Sequence, residues 1–410
     1  MVNGQISLHV RRAEDLRAGT HVGTVAGPAG LTPEADAGTR RYTDPFGDGT
    51  ARDYTWTAWV SPEVRPGHTF TDLVPSWNAR TPDGSWLEIE ARTSTDGVHW
   101  SRWWVLGRWA ETDTAIHPTT VEGQADDEAE VQVEELAARE GTTWQAYQLR
   151  VTLLRPAESG ALPTVSLVAA VVSGGPVADG VGCAPRSGGC EVAVPTYSQQ
   201  LHRGEYPQWA GGGESWCSPT SVTMVLGAWG LGPTAEDLCW VREGYPDPAI
   251  AHAARCTFDH AYGGPGNWSF NTAYAALHGT EALVTRLRDL DEAEAYVAAG
   301  IPLIASVAFE KDELPSAGYR TSGHLLVIVG FDENGDVVVN DPASHCIPSN
   351  DEVRTVYPRE AFARVWMRSR GLVYVIRPPD VPLPGEAPRV EASEGVSEEV
   401  AAAAPVLTTQ

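Results

Sequence analysis

The stretch GGGESWCSPTSVTMVLGAWG, residues 211–230, predicts a helix that begins with a cysteine. Pro219 suits the first turn of a helix, because its missing N–H would have no partner there. Apolar side chains then recur at helical spacing and give the helix one buried face: Val222, Val225, Leu226 and Trp229. Cys217 is therefore expected at the helix N-terminus, where free N–H groups and the helix dipole favour a thiolate. The alternative is a small buried cysteine in a core helix.

A second stretch, SGHLLVIVGFDENGDVVVNDPAS at residues 322–344, predicts a β-hairpin. Two apolar runs flank Asn334-Gly335, a dipeptide strongly favoured in tight hairpin turns. Antiparallel pairing would place His324 and Asp341 at the same end of the hairpin, away from the turn. A carboxylate beside one imidazole nitrogen fixes the tautomer and leaves the other nitrogen for a thiol proton. Each residue also has a plain structural interpretation, since a histidine can begin a strand and Asp-Pro often begins a turn.

The two stretches together predict nucleophilic catalysis by a Cys-His-Asp triad. In such sites the nucleophile and its base lie far apart in sequence and close together in the fold. Cys217 would attack a carbonyl carbon, His324 would take and return the proton, and Asp341 would orient His324. The backbone N–H groups around Cys217 could stabilise the oxyanion that forms.

Three strings resemble the C39-like cysteine peptidases of the actinobacterial type: VAVPTYSQQ at 192–200, WCSPTSVTMVL at 216–226, and GHLLVIVGF with VVVNDPA between 323 and 343. The likeness extends through GNWSFNTAYAALHG at 266–279 and AGIPLIASVAF at 299–309 and covers roughly residues 190–378. It implies a papain-like α+β domain that cleaves a peptide or amide. It also implies an oxyanion-hole glutamine, which falls on Gln199, with the adjacent Gln200 as the alternative. The chain departs from the commoner pattern at Ser218, where the family has glycine.

The first part of the chain predicts an all-β sandwich or jelly roll, because short alternating runs are separated by turn signals. The expected strands are 86–91, 98–109, 131–136, 147–153 and 165–172. The string from Trp77 to Trp109 resembles the N-terminal module found beside C39-like domains in actinobacterial proteins. The expected organisation is a β module at 1–175, a Gly-rich linker at 176–190, a peptidase domain at 191–378 and a disordered acidic tail at 379–410. Each of the two domains is expected to fold alone.

The β module is rich in tryptophan, which leaves two interpretations open. Its tryptophans are Trp56, Trp59, Trp77, Trp86, Trp100, Trp103, Trp104, Trp109 and Trp144. Exposed aromatic rings could bind a glycan, whereas buried rings would form the core. Consecutive Trp103 and Trp104 point to opposite faces of a strand, so one of them is expected to lie outside the core. Packing is the favoured interpretation.

Composition limits the classes of partner. A net charge of −25 argues against nucleic-acid binding and against docking on anionic membranes. The sequence has no apolar run long enough to cross a membrane and no phosphate-binding loop, so membrane insertion and a transporter half are not expected. The first residues lack the charged start and apolar stretch of a signal peptide, which predicts a cytoplasmic protein by default, although relatives are often exported.

No cofactor is expected. A zinc site was the rival interpretation of His252, Cys256 and His260, whose spacing would align them on one helix face. The run 280–300 predicts a single helix, because Leu287, Leu290, Ala293 and Val297 are spaced for one buried face. The candidate disulfides are Cys183–Cys190 and Cys239–Cys256.

The sequence therefore predicts a cysteine hydrolase that cleaves a peptide or amide bond through a thioester. One alternative is an amidase or acyltransferase acting on a non-peptide amide with the same triad. The other is a glycan- or cell-wall-binding protein whose hydrolase domain is vestigial.

Overall fold

The computed structural model of the protein describes residues 5–177, 179–182 and 189–386. Cys183, and with it the first disulfide considered, lies outside the described residues, as does most of the expected tail. None of the helices in the described part of the chain is long and apolar enough to span a membrane.

The N-terminal part consists of strands that form two antiparallel sheets. In chain order the strands are β1 Gln5–Arg12, β2 Thr20–Val22, β3 Thr24–Gly27, β4 Gly30–Pro33, β5 Gly38–Thr43, β6 Ala51–Val60, β7 Asp72–Arg80, β8 Trp86–Ser94, β9 Trp104–Trp109, β10 Ala129–Gln132, β11 Glu135–Ala138, β12 Ala146–Pro156 and β13 Thr164–Gly174. The first sheet has the order β10-β11-β7-β13-β4-β3, with β1 also paired to β13. The second has the order β2-β6-β12-β8-β9, with β5 also paired to β6. One apolar core draws on strands of both sheets.

The strands expected at 86–91, 147–153 and 165–172 are present, and the other two expected strands differ. The strand predicted from residue 98 begins only at Trp104, because Asp96 accepts the N–H groups of Val98 and His99 and holds the chain in a turn. The strand predicted at 131–136 is instead a hairpin, β10 and β11, whose turn contains Val133 at a φ of 56°.

Most of the tryptophans of this part serve as core. Trp59, Trp77, Trp86, Trp104, Trp109 and Trp144 are buried, whereas Trp56, Trp100 and Trp103 are half-buried. Trp103 and Trp104 differ as the sequence predicts, since Trp104 lies in the core and Trp103 lies outside it. The Arg92 guanidinium lies 4.8 Å from the ring of Trp100 and 4.7 Å from that of Trp103.

The C-terminal part is a sheet with helices on both faces. Its elements are β14 Cys190–Glu191, α1 Cys217–Ala228, α2 Pro248–Cys256, α3 Trp268–Ala276, β15 Glu281–Arg286, α4 Leu290–Ala298, β16 Leu303–Phe309, β17 Thr321–Phe331, β18 Val337–Asn340, β19 Arg354–Tyr357, α5 Arg359–Trp366 and β20 Leu372–Arg377. The sheet order is β15-β20-β16-β17-β18-β19, with β14 also paired to β17. Helices α1, α2 and α3 share one apolar cluster with the sheet, and α4 and α5 share another.

The single helix expected over residues 280–300 is wrong in its first half. Residues Glu281–Arg286 form strand β15, which pairs with β20, the last strand among the described residues. Helix α4 begins only after Asp289, whose side chain accepts the N–H of Glu292 as an N-terminal cap. Pairing with β20 therefore decides the structure of residues 281–286, and the helical spacing of apolar residues predicts the structure correctly only over α4.

The two parts of the chain share a buried interface. Phe270 and Ala273 of α3 lie in the core of the N-terminal part, where the Phe270 ring meets Trp77 edge-on at 6.0 Å. The side chain of Asn78 bonds both backbone groups of Ala282, with its Nδ2 donating at 2.6 Å and its Oδ1 accepting at 3.1 Å. Because β15 is the edge strand of its sheet, Asn78 satisfies an edge that would otherwise be open.

Polar contacts extend this interface. Ser76 accepts the N–H of Val284 at 2.8 Å. The buried guanidinium of Arg286 lies 2.7 Å from Glu135 and 3.3 Å from Asp72. The domain boundaries remain predictions, and these contacts argue for folding of the two parts together rather than separately.

Candidate active site

Cys217 begins helix α1 and half-faces solvent. The preceding residue, Trp216, caps the helix without a side-chain hydrogen bond, because an indole ring has no acceptor to offer the helix N–H groups. Its own indole N–H donates to the carbonyl of Trp209 at 2.8 Å. The first N–H groups of α1 are thus left without a side-chain partner, and their positive end faces the thiol. Gly213 lets the chain before α1 pack closely against the turn that contains Gln199, since a Cβ at this position would lie 2.2 Å from the Gln199 carbonyl oxygen.

The hairpin of β17 and β18 brings His324 and Asp341 together. Val327 pairs with Asn340, so His324 and Asp341 lie at the same end, as the sequence predicts. The Nε2 of His324 lies 2.8 Å from Oδ1 of Asp341, and both residues are buried. This contact fixes the tautomer and leaves Nδ1 of His324 free to face the thiol.

Asp341 is held by a full set of donors. The hydroxyls of Tyr319 and Tyr357 each donate to Oδ2 at 2.7 Å. The backbone N–H of Ala343 donates to Oδ1 at 2.9 Å. Burial raises the pKa of Asp341, but the charge and hydrogen bond of His324 and the two tyrosine hydroxyls outweigh burial, so the pKa is below its usual value.

Electrostatics favour a thiolate–imidazolium pair. Burial raises the pKa of Cys217, but the charge and hydrogen bond of His324 and the N–H groups of Leu325 and Ser218 bring it below the usual value. Burial lowers the pKa of His324, but Asp341 and Cys217 outweigh burial and raise it. Both directions favour a proton on His324 and a negative charge on Cys217.

Gln199 lies in a short 3-10 turn beside Cys217 and is almost fully buried. Its Nε2 donates to the Glu214 carbonyl at 2.8 Å, which sets the orientation of the amide, and its Oε1 has no partner. An amide nitrogen carries two hydrogens, so one remains available for an oxyanion. Gln200 also lies at the cleft, where its Oε1 accepts from Arg203 at 3.3 Å.

A cleft of about 660 Å³ opens over these groups. Its lining includes Cys217, His324 and the two glutamines. It also includes the segment 262–268, which we call the glycine wall and of which six residues line the cleft: Tyr262, Gly263, Gly264, Pro265, Gly266 and Trp268. A second thiol, that of the exposed Cys346, also lines it.

Ser218, the position at which the chain departs from the family pattern, has a structural explanation. Its buried hydroxyl lies 3.0 Å from the hydroxyl of Tyr374 on β20. The serine thus ties the start of α1 to the sheet, while its N–H remains directed at the Cys217 sulfur.

The structure does not align the three residues of the rival zinc interpretation on one helix face. Helix α2 ends at Cys256, so His260 leaves the helix and its Nδ1 contacts the Pro118 carbonyl at 3.1 Å. His252 and Cys256 contact each other at 3.5 Å. Across the described ranges, no three His, Cys, Asp or Glu side chains converge as metal ligands. Cys239 and Cys256 are free thiols, so the second disulfide considered is not formed.

Sequence reasoning missed three contributors to this site: Tyr319, Tyr357 and Tyr374. The first two bind Asp341 and the third binds Ser218. Tyr319 precedes His324 by five residues, but nothing in that spacing distinguishes it from a loop tyrosine. Tyr357 and Tyr374 reach the site only through the pairing of β19 and β20 with the sheet.

The chain was compared with known proteins. Residues 7–173 match the Peptidase C39 N-terminal domain, and residues 191–374 match the Peptidase_C39 like family. A solved structure of a candidate C39-like peptidase from Bacillus anthracis is similar to 46% of this chain and 98% of that chain, at 18% identity and a TM-score of 0.29, values at which the likeness carries no argument. No curated protein matches the chain significantly. The resemblance drawn from the sequence is confirmed: one region of the chain matches the Peptidase C39 N-terminal domain and a second region matches the Peptidase_C39 like family.

Proposed function

We propose that the protein is a cysteine hydrolase that cleaves a peptide or amide bond through a thioester intermediate. Membership in a C39-like peptidase family supports a peptidase, and the chemistry of the cleft supports cysteine as its nucleophile. The arrangement of a cysteine at a helix start, with a histidine and an aspartate on neighbouring strands, is typical of papain-like hydrolases.

In the first half of the reaction, the Cys217 thiolate attacks the substrate carbonyl carbon. The N–H of Cys217 and the second N–H of Gln199 Nε2 stabilise the oxyanion. His324, protonated at Nδ1, gives its proton to the leaving amine as the tetrahedral intermediate collapses to a thioester. Asp341 holds Nε2 throughout, so the ring keeps one tautomer and one orientation.

In the second half, water hydrolyses the thioester. His324, now neutral at Nδ1, removes a proton from the water as it attacks the acyl carbon. Collapse of the second tetrahedral intermediate releases the carboxylic acid and restores the ion pair of Cys217 and His324. Besides the substrate, water is the one reactant that this scheme takes from outside the chain.

The observation that carries this proposal is that hydrogen bonds fix the ring of His324 in one orientation. Asp341 is buried, is saturated with donors and holds the ring toward a thiol that opens onto a cleft. A vestigial domain would have no need to keep a buried carboxylate and imidazole paired, since such burial is costly without a role. The glycan interpretation has less support, because the half-buried rings of Trp100 and Trp103 already stack on Arg92.

The test is digestion of a peptide library by the full chain, with products identified by mass spectrometry and the Cys217→Ala variant as matched control. We expect cleavage by the wild type and none by the variant, which keeps the helix start and should have the same melting temperature. Equal cleavage by both proteins would refute the nucleophile. A wild type that leaves every peptide intact but hydrolyses non-peptide amides would favour the amidase alternative.

A further inference from the structure

The glycine wall is shaped by a buried aspartate just before it. Asp259 is fully enclosed, and its Oδ1 accepts the N–H groups of Ala261 and Tyr262, both at 3.2 Å. Its Oδ2 accepts from Asn267 Nδ2 at 3.0 Å. One carboxylate thus binds both ends of the loop and sets its curvature.

The N-terminal part of the chain completes this arrangement. Oδ1 of Asp259 also accepts the N–H of Thr120 at 3.0 Å. The N–H of His260 donates to the Pro118 carbonyl at 3.0 Å, and the N–H of Ala261 donates to the Thr119 hydroxyl at 3.2 Å. The beginning of the loop is therefore fastened to residues from more than a hundred positions earlier in the chain.

The end of the glycine wall is fastened by a second carboxyl group from the N-terminal part. Glu134 lies in the turn between β10 and β11 and is only 3% exposed. Its Oε1 accepts the N–H of Trp268 at 2.7 Å, at the first residue of α3. This N–H has no partner within the helix, since the side chain of Asn267 caps Phe270 instead.

Burial makes an ionised carboxylate at Glu134 energetically unfavourable. Burial, with the nearby carboxyl groups of Asp259 and Glu135 adding to it, raises the pKa of Glu134 to about 8 despite its hydrogen bond to Trp268. When it is ionised, its charge adds to the burial that raises the pKa of Tyr262 on the glycine wall and of Tyr374, the partner of Ser218. A glutamate enclosed next to other acids is not the choice that stability alone would favour.

We propose that Glu134 is a positioning residue through which the N-terminal part of the chain sets the glycine wall of the cleft, and thereby the binding of the substrate chain. The inference rests on the proposed function, because it assigns the wall to the same hydrolytic cleft. Glu134 does not contact the triad. Its loss should therefore weaken the binding of a peptide and leave the reactivity of Cys217 unchanged.

The test uses the full chain in four forms: wild type, Glu134→Ala, Glu134→Gln and the control Glu128→Gln. Glutamine keeps the oxygen that accepts from Trp268, and alanine removes it. Glu128 is exposed near the same hairpin and offers the same change of side chain outside the interface. Three quantities are measured: amide hydrogen exchange over residues 259–268, Cys217 alkylation by iodoacetamide, and inactivation by the most reactive member of a tripeptidyl acyloxymethyl ketone library, resolved into KI and kinact.

We expect Glu134→Ala to speed exchange over 259–268 and to raise KI about tenfold, the scale of one lost buried hydrogen bond. Its kinact and its iodoacetamide rate should stay at the wild-type values. Glu134→Gln and Glu128→Gln should behave as wild type in KI.

Unchanged exchange and unchanged KI in Glu134→Ala would overturn the proposal, as would a fall in kinact or in iodoacetamide reactivity. If Glu134→Ala does not fold, a tenfold rise in KI for Glu134→Gln would contradict the role of the retained oxygen. A wild-type Cys217 that reacts with neither reagent would refute the proposed function, while hydrogen exchange would still decide the role of Glu134.

Discussion

The triad predicted from the sequence and the glycine wall are fixed in different ways. The hydrogen bonds to Asp341, the partner of His324, come from Tyr319 and Tyr357 of the C-terminal part. The glycine wall is fastened by Thr120 and Glu134 of the N-terminal part. In the proposed function, the chemistry is therefore local to the C-terminal part, whereas the shape of the cleft depends on both parts. We expect catalysis and substrate binding to respond to different mutations.

The largest effect is expected on the catalytic side. Asp341→Asn should lower kcat by about 10³–10⁴-fold, because an amide nitrogen facing His324 favours the wrong tautomer. Tyr357→Phe removes one donor and leaves the carboxylate, so it should lower kcat by less than about tenfold. Steady-state kinetics on a peptide cleaved by the wild type measures both. Equal losses in the two variants would mean that Asp341 acts through the fold and not through His324.

Across the interface, Phe270→Ala should lower the free energy of unfolding by about 3–5 kcal/mol, because a buried ring is lost from the core of the N-terminal part. Leu162→Ala is the control, since that side chain is 54% exposed and should change stability by less than about 0.5 kcal/mol. Urea denaturation followed by tryptophan fluorescence and by Cys217 alkylation should give one shared midpoint. Two separate midpoints would instead support the prediction from the sequence that each domain folds alone.

A smaller effect separates the two glutamines. Gln199→Ala should lower kcat by about 100-fold, the scale of one lost oxyanion donor. Gln200→Ala should stay near the wild type, because its Oε1 is engaged by Arg203. Steady-state kinetics decides between them. The reverse order would place the oxyanion glutamine one residue later in the sequence.

The smallest effect concerns pH and the anchor of the glycine wall. Between the usual carboxyl pKa and a value of about 8, folded Glu134 keeps its proton and the unfolded chain does not. Wild-type stability therefore carries a contribution that is lost as pH rises through this window. Glu134→Gln cannot ionise, so its stability relative to wild type should rise by about 1–3 kcal/mol from pH 5 to pH 8. Denaturation at several pH values measures this, with Glu128→Gln as control. A difference that does not vary with pH would contradict the assigned pKa.

The sequence predicted the catalytic side far better than the glycine wall, for physical reasons. A cysteine before Pro219 and a hairpin around Asn334-Gly335 are local signals, and the structure places their helix and strands where expected. Strand β15 was mistaken for helix because its identity depends on pairing with β20, which follows it by almost ninety residues.

Glu134 gave no signal at all in the sequence. It sits in an acidic hairpin that reads as solvent-exposed, and it is enclosed only because α3 packs against the N-terminal part. The roles of Tyr319 and Tyr357 could not be predicted either, because only the folded structure shows that their hydroxyls lie next to the carboxylate of Asp341. Local patterns thus predict elements and motifs, while contacts between distant segments need the fold.

The central claim, a Cys217 thiolate held by His324, is tested most directly by the pH dependence of iodoacetamide alkylation, with each thiol followed by peptide mass spectrometry. Cys239 and Cys346 are exposed thiols that serve as internal references. The account predicts that Cys217 alkylates with a midpoint below the usual thiol pKa of about 8.5, and that His324→Ala moves this midpoint upward. A Cys217 midpoint at or above the usual value, unchanged in His324→Ala, would contradict it.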